Sequence, residues 1–451
     1  MNTLQGYICN SRPRRFGKSV TANMLTAYYS RGCDSADMFN NLDISKYADY
    51  KEHLNKYDVI HLDIQWCIEP AGGVENVVSY ISESTIAELR EYYPDIISRD
   101  AVSLPETLSQ INTMTGSKFI VIVDEWDVLI RDENTNSRIQ NEYISFLRAM
   151  FKGTEPTKYI QLAYMTGILP IKKYGSHSAL NMFTEYSMTD PGDLAEYFGF
   201  TEDEVKKLCA EYQMNYEETK AWYDGYHLRV HQRTEVCDYA MYNPKSVVEA
   251  MMRHKYGTYW NRTETYEALK VYIQMNMDGL KDAVIEMLGG ESVRVNTGTF
   301  MNDMTTFATR DDVLTLLVHL GYLTYDSDAE KVSIPNREVA QEYVNAVSTM
   351  DWHEVARSIE ASRKLLEALW KMDEAAVAKG VEQAHKEISV LQYNNENALS
   401  CTINLAFYFA REYYTIVREL PTGKGFADIV MIPRKLHIDK PAVVIELKWD
   451  K

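Results

Sequence analysis

The stretch SRPRRFGKS, Ser11 to Ser19, is the first place where residue type and spacing point to chemistry. Holding a nucleotide's phosphates takes backbone N–H groups curled toward the anion at a helix N-terminus. It also takes a lysine for the β- and γ-phosphates and a hydroxyl for Mg2+. Gly17, Lys18 and Ser19 supply the second half of that device, with Lys18 for the phosphates and Ser19 for the metal. Five residues before Gly17, where such loops usually have glycine, stands Arg12, followed by Pro13. Either the first half of the loop is built differently, or a basic turn happens to end in GKS.

A nucleotide site needs a second carboxylate centre. An Asp at the end of a buried strand can hold Mg2+ through water, and a neighbouring acid can orient the attacking water. Asp124 and Glu125 directly follow five apolar residues, Phe119 to Val123, about a hundred residues past GKS; a solvated strand end would share that pattern. Thr166 ends the next candidate strand, where a polar residue can report on the γ-phosphate. A turn residue before Gly167 fits it equally well.

A second constellation lies near the C-terminal end. Cutting a phosphodiester with a metal requires carboxylates that hold the ion against the phosphate and a lysine that positions water. Asp428 sits early in FADIVMI, and Glu446 and Lys448 flank Leu447 in VVIELKW. Residues two apart on a strand share a face, so Glu446 and Lys448 project together, and Asp428 joins them if the strands are neighbours. Glu396 and Glu419 are additional candidate acids. A cross-strand salt bridge on an exposed face would use the same residues.

The elements that must position these groups follow from hydrophobic spacing. Leu4–Asn10, Tyr57–Ile64, Lys118–Asp127 and Tyr159–Ile168 read as strands. Helical spacing follows GKS, with Val20, Met24, Leu25 and Tyr28 on one side, and recurs from about Val74 to Tyr93. So dense a run as Phe119–Val123 suits a strand buried on both faces of a parallel sheet. Alternating strands and helices predict an open α/β sheet with helices on both sides. From about Asp190 acidic helical segments dominate. A helix and hairpin within Asp311–Asn336 resemble a winged-helix unit, and Met350–Leu391 is helical again. The last piece reads as a helix over ENALSCTINLAFYFARE, then the two strands that carry Asp428 and Glu446.

Composition bounds the function classes. The 451 residues suffice for two or three domains, and a formal charge of −18 argues against a surface that coats nucleic acid throughout. A local basic site stays open, since Pro421–Lys451 holds six Lys or Arg against four Asp or Glu. Six scattered cysteines without a CxxC pair suggest reduced thiols in a cytoplasmic protein. No apolar run approaches a membrane span, and the N-terminus does not resemble a signal peptide.

SRPRRFGKS, VIVDEWD, YMTGILPIKKYGSHSALNMFTEYSM, WYDGYHL and YNPKSV together resemble the AAA-ATPase-like family of bacterial proteins that also carry a C-terminal PD-(D/E)xK nuclease-type domain. The resemblance covers nearly the whole chain, and in that family Arg-Pro-Arg-Arg-Phe-Gly-Lys-Ser is itself the phosphate-loop form. It implies a P-loop NTPase-like parallel sheet over residues 1–190, a helical lid and winged-helix-like region over 191–345, and a helical linker with a restriction-endonuclease-like α/β domain over 346–451. It implies ATP and Mg2+ bound at Arg15, Phe16, Gly17, Lys18 and Ser19, with Walker-B roles for Asp124 and Glu125 and a sensor-like role for Thr166. In the C-terminal domain it implies metal ligation by Asp428 and Glu446, with Lys448 positioning water. Family members usually carry more chain before the loop, and the nuclease-type fold normally continues past Glu-x-Lys. Elements of both kinds are therefore expected to be missing from this sequence.

Two functions of different class remain open on these residues. One is an ATPase that controls a metal-dependent nuclease acting on DNA or RNA. The other is an ATP-driven switch or interaction protein whose nuclease-like domain binds without cleaving. An arginine finger cannot be assigned among Arg148, Lys172 and Lys173, and the oligomeric state is open.

Overall fold

The computed structural model describes residues 5–131, 136–171, 180–231, 236–260, 267–275, 277–302, 306–350, 352–387, 396–423 and 425–448. Five strands form the N-terminal sheet: β1 (Tyr7–Ser11), β2 (Asp58–Asp63), β3 (Phe119–Asp124), β4 (Ile160–Gly167) and β5 (Thr184–Tyr186). Their order is β2-β3-β4-β1-β5, and every neighbouring pair is parallel. All six residues of β3 are buried, as expected of a strand covered on both faces. Ile120 and Ile122 pack on one face with Ala22, Tyr28, Tyr29 and Phe198. Alternation sends Phe119, Val121 and Val123 to the other.

The helix α1 (Lys18–Tyr29) follows the basic loop, but with a different inward face from the one its apolar residues suggest. Val20 and Met24 are exposed, whereas Lys18, Ala22 and Tyr29 are buried and Leu25 packs against them. That stripe has the i, i+4, i+7, i+11 spacing of a single helix face. The loop geometry at Gly17 fixes where the helix starts, and so sets its phase against the sheet.

The chain divides into two compact units. One comprises Met1–Gln213, Tyr226–Val248 and Asn296–Ser327, and the other Met214–Gly225, Glu249–Val295 and Asp328–Lys451. The first adds to the sheet the helix Glu202–Glu211, opened by a Thr201/Glu204 capping box, and the buried helix Arg310–Leu320. In the second, helices His353–Trp370, Glu374–Glu387 and Glu396–Ala406 pack with an antiparallel sheet of Tyr414–Pro421, Phe426–Pro433 and Val443–Ile445. Its core gathers Leu365, Leu366, Phe407, Tyr414, Ile429 and Met431. The strand Tyr414–Pro421 is absent from the sequence reading, and the last strand is shorter than PAVVIELKW suggests.

The WYDGY signature is built from packing. Glu218 accepts from Arg337 at 3.0 Å, Arg434 at 3.0 Å and the Trp222 indole at 3.2 Å, while the Arg337 guanidinium lies over the Trp222 ring. Gly225 has φ +116°, and a Cβ there would sit 1.8 Å from the Pro335 carbonyl oxygen. Only glycine satisfies both constraints. None of the six cysteines forms a disulfide.

Candidate functional site

In open parallel sheets ligands bind beyond the carboxyl ends of the strands. Here those ends form one row: Asp63 pairs with Asp124, Asp124 with Thr166, Thr166 with Asn10, and Asn10 with Tyr186. The basic loop leaves β1 directly above this row. Two residues separated by more than a hundred positions, Lys18 and Asp124, are thus brought to the same edge by strand register.

Within the loop, Arg15 and Gly17 both adopt left-handed backbone, with φ 68° and 87°. A Cβ on Gly17 would meet nothing within 4 Å, so backbone conformation rather than crowding requires glycine there. Gly17 caps α1, and its carbonyl accepts from the Thr21 N–H at 2.9 Å. The Lys18 ammonium is buried and donates to the Pro13 carbonyl at 3.0 Å, across the mouth of the loop. Burial lowers its pKa, and Glu125, Asp127 and Asp124 act against that shift. Phe16 is buried edge-on to Tyr226, with ring centroids 5.1 Å apart.

Arg12 takes the place of the usual glycine by leaving the loop's concave side altogether. Its side chain is fully buried, donating to the carbonyls of Ser11 at 3.0 Å and Leu194 at 3.4 Å, with the guanidinium over the Phe198 ring. Burial pulls its pKa down to about 10. The arginine that looked like an obstruction is a structural anchor below the loop.

Asp124 is buried and accepts from the Glu125 N–H at 2.9 Å. Glu125 has φ 52°, a conformation that costs a non-glycine residue about 1 kcal/mol and persists only where its surroundings enforce it. The Trp126 N–H bond to the Thr166 carbonyl, 3.1 Å, helps to do so. Burial raises the Glu125 pKa, while Lys18 and Arg131 pull it down. Thr166 is buried, and its hydroxyl donates to the Asn10 carbonyl at 3.0 Å, bridging β4 and β1.

The sequence reading missed two residues here. Asp127 is fully buried and accepts from the backbone N–H groups of Ile168 and Leu169 and from Arg131. Arg131 in turn reaches Glu125 at 2.6 Å. The i, i+4 spacing of Asp127 and Arg131 was the available signal. Of the arginine-finger candidates, Arg148 is exposed on the helix Ser137–Phe151, and Lys172 and Lys173 lie outside the described residues.

A cleft of about 830 Å³ opens beside this centre and runs along the edge strand β2. Ser19, Asn23, His61, Asp63 and Asp124 line one end of it. The exposed Ser19 and the buried Asp124 therefore line one space.

The C-terminal residues are partly assembled. The strand carrying Asp428 and the strand Val443–Ile445 that precedes Glu446 are antiparallel neighbours, with Ile429 opposite Ile445. Continuing that register sets Asp428 against Glu446, just past the end of the last strand. The Asp428 carboxylate accepts from the Leu447 N–H at 2.6 Å, and Glu446 and Lys448 are exposed. Glu419 is also exposed, with φ 49°, in the strand Tyr414–Pro421 on the other side of Asp428. Among the described residues no group of three or more His, Cys, Asp or Glu is arranged to hold a metal. The side chain of Glu396 lies outside the described residues.

The family model that matches this chain covers its N-terminal part. Residues 2–176 match the family model described as AAA-ATPase-like, predicted AAA-ATPase. A curated relative, the uncharacterized protein in the vnfD 5' region of Azotobacter chroococcum mcd 1, is 24% identical over 264 residues. The match covers 56% of this chain and 47% of that protein, so the chain spans about half the length of the relative. No helix among the described residues is long and apolar enough to cross a membrane.

Proposed function

We propose that the N-terminal sheet binds ATP with Mg2+ and hydrolyses it. The observation that carries this reading is the single row of strand ends where the loop of Gly17, Lys18 and Ser19 meets Asp124 and Glu125. Lys18 is poised to exchange the Pro13 carbonyl for phosphate oxygens, and the left-handed turns at Arg15 and Gly17 curl the loop into the N-terminus of α1, where an anion is favoured. Ser19 and Asp124 would hold Mg2+, which neutralises charge on the transferred phosphoryl group. Glu125 orients the attacking water, and Thr166 keeps β1 and β4 in register beneath it. The test is Mg2+-dependent ATP hydrolysis by the purified chain. Lys18→Ala is expected to abolish it, and full activity in that variant sinks the assignment.

For the C-terminal sheet we propose, as a first reading, a nuclease-type module acting on DNA or RNA under control of the ATPase, with Asp428, Glu446 and Lys448 at its site. Among the described residues the carboxylates there do not gather into a metal cluster. The Asp428 bond to the Leu447 N–H favours the second reading, an ATP-driven switch whose C-terminal module binds without cleaving. Glu446→Ala separates the two. Mg2+-dependent cleavage lost in that variant supports the nuclease, and cleavage that survives it removes these residues from the site. Salt-sensitive binding without cleavage supports the switch.

A further inference from the structure

The turn that follows β4 connects the two halves of the candidate hydrolytic site. Its carbonyls face the phosphate loop: the Arg12 N–H donates to the Gly167 carbonyl at 3.1 Å, and the Ser11 hydroxyl to the Leu169 carbonyl at 2.8 Å. Its N–H groups face the other way, Ile168 and Leu169 donating to one carboxylate oxygen of Asp127 at 3.1 and 2.7 Å. That same oxygen accepts from Arg131 Nε at 2.8 Å, and the far end of the guanidinium donates to Glu125 at 2.6 Å. A planar guanidinium can serve both acids at once, which an ammonium cannot. Packing leaves little freedom in this chain of bonds. A Cβ on Gly167 would lie 2.4 Å from the second Asp127 oxygen and 2.7 Å from the Trp126 ring. Asp127 is fully buried, and the Arg131 side chain is 10% exposed.

We propose that Arg131 is a positioning residue for Glu125: it fixes the Glu125 carboxylate and, through Asp127 and the turn 167–169, couples it to the base of the phosphate loop. This rests on the ATP-hydrolysis reading above. Asp127 is fully buried behind the strand-end row. One of its oxygens accepts two backbone N–H groups together with Arg131, which makes it the anchor that holds Arg131 against the turn. Of the three residues, Glu125 directly follows the strand-end residue Asp124. A movement of the turn 167–169 when phosphates enter the loop is transmitted to Glu125 through two side chains, without rearrangement of the sheet.

The test is a double-mutant cycle on the full chain, reading kcat and KM for Mg2+-ATP hydrolysis and the Kd of a fluorescent ATP analogue. Arg131→Gln is expected to lower kcat about 100-fold, the cost of a misplaced group at a reacting centre. KM and Kd stay within about twofold, because the phosphate contacts are untouched. Arg131→Lys recovers part of kcat. In a Glu125→Gln background, Arg131→Gln then lowers kcat by less than about threefold, since the group it positions is already gone. Equal losses in both backgrounds, a rise in kcat, or a loss confined to KM would overturn the inference. If Arg131→Gln does not fold, the same cycle run with Arg131→Lys decides it. Wild-type hydrolysis abolished by Lys18→Ala but indifferent to Arg131 removes this inference alone, whereas no hydrolysis by the wild type removes the ATPase reading with it.

Discussion

His319 ties the stability of the first unit to pH, and the size of the effect follows from its surroundings. It lies inside the helix Arg310–Leu320, 2% exposed and stacked on Phe300 with ring centroids 5.8 Å apart, and its Nδ1 has no hydrogen-bond partner among the described residues. Burial, and then the nearby Arg12 guanidinium, pulls its pKa from 6.5 to about 3. Between those values the unfolded chain binds a proton that the folded chain refuses, so acidification favours unfolding. The neutral ring's contribution is complete above pH 6.5 and is lost progressively as pH falls toward 3. At 1.36 kcal/mol per pH unit, the 1.5 units from 6.5 to 5 amount to about 2 kcal/mol. The perturbation is His319→Leu, which keeps an apolar side chain at the site and removes the titration. Hydrogen exchange of the Arg310–Leu320 amides, corrected for intrinsic rate, reads the local opening free energy. The parent is expected to lose about 2 kcal/mol more than the variant between pH 7.5 and 5, terms from other groups cancelling in the difference. A pH dependence equal in the two proteins, to within about 0.5 kcal/mol, would refute the reasoning.

Two further predictions concern backbone and anchor. Arg12→Gly, which restores the usual phosphate-loop residue, is expected to destabilise the first unit by about 2–4 kcal/mol, because it empties a buried site. A urea midpoint unchanged from the parent would show that Arg12 is not an anchor. Gly225→Ala forces a Cβ to within 1.8 Å of the Pro335 carbonyl at φ +116°, and is expected to lower stability by more than about 2 kcal/mol. Thermal unfolding checks it, and an unshifted Tm would mean that the 225 turn relaxes freely.

Much of the N-terminal fold was legible because its signals are local. The run Phe119–Val123 announced a doubly covered strand, and GKS marked the start of a helix. The C-terminal strand Tyr414–Pro421 was hidden because YTIVRELP mixes buried and exposed positions with charge and follows a helix without a clear break. The apolar face assigned to α1 was wrong at Val20 and Met24, since spacing alone does not say where a helix begins its contact with a sheet.

The sequence by itself determined the residue types available for chemistry: the basic loop ending in Gly17, Lys18 and Ser19, the Asp124–Glu125 pair behind a buried strand, and the acids Asp428 and Glu446 with Lys448. Side-chain chemistry and strand alternation are properties of a few consecutive residues, so they can be read without the fold. Only the tertiary structure decided what Arg12 and Asp127 do. Burial turned the first from an apparent obstruction into an anchor. Strand order, which set β4 between β1 and β3, brought the turn 167–169 against Asp127 and linked it to Glu125 through Arg131. The Asp127 bonds to the turn join residues 41 and 42 positions apart, and the Arg12 bond to Leu194 spans 182, distances that no local pattern encodes.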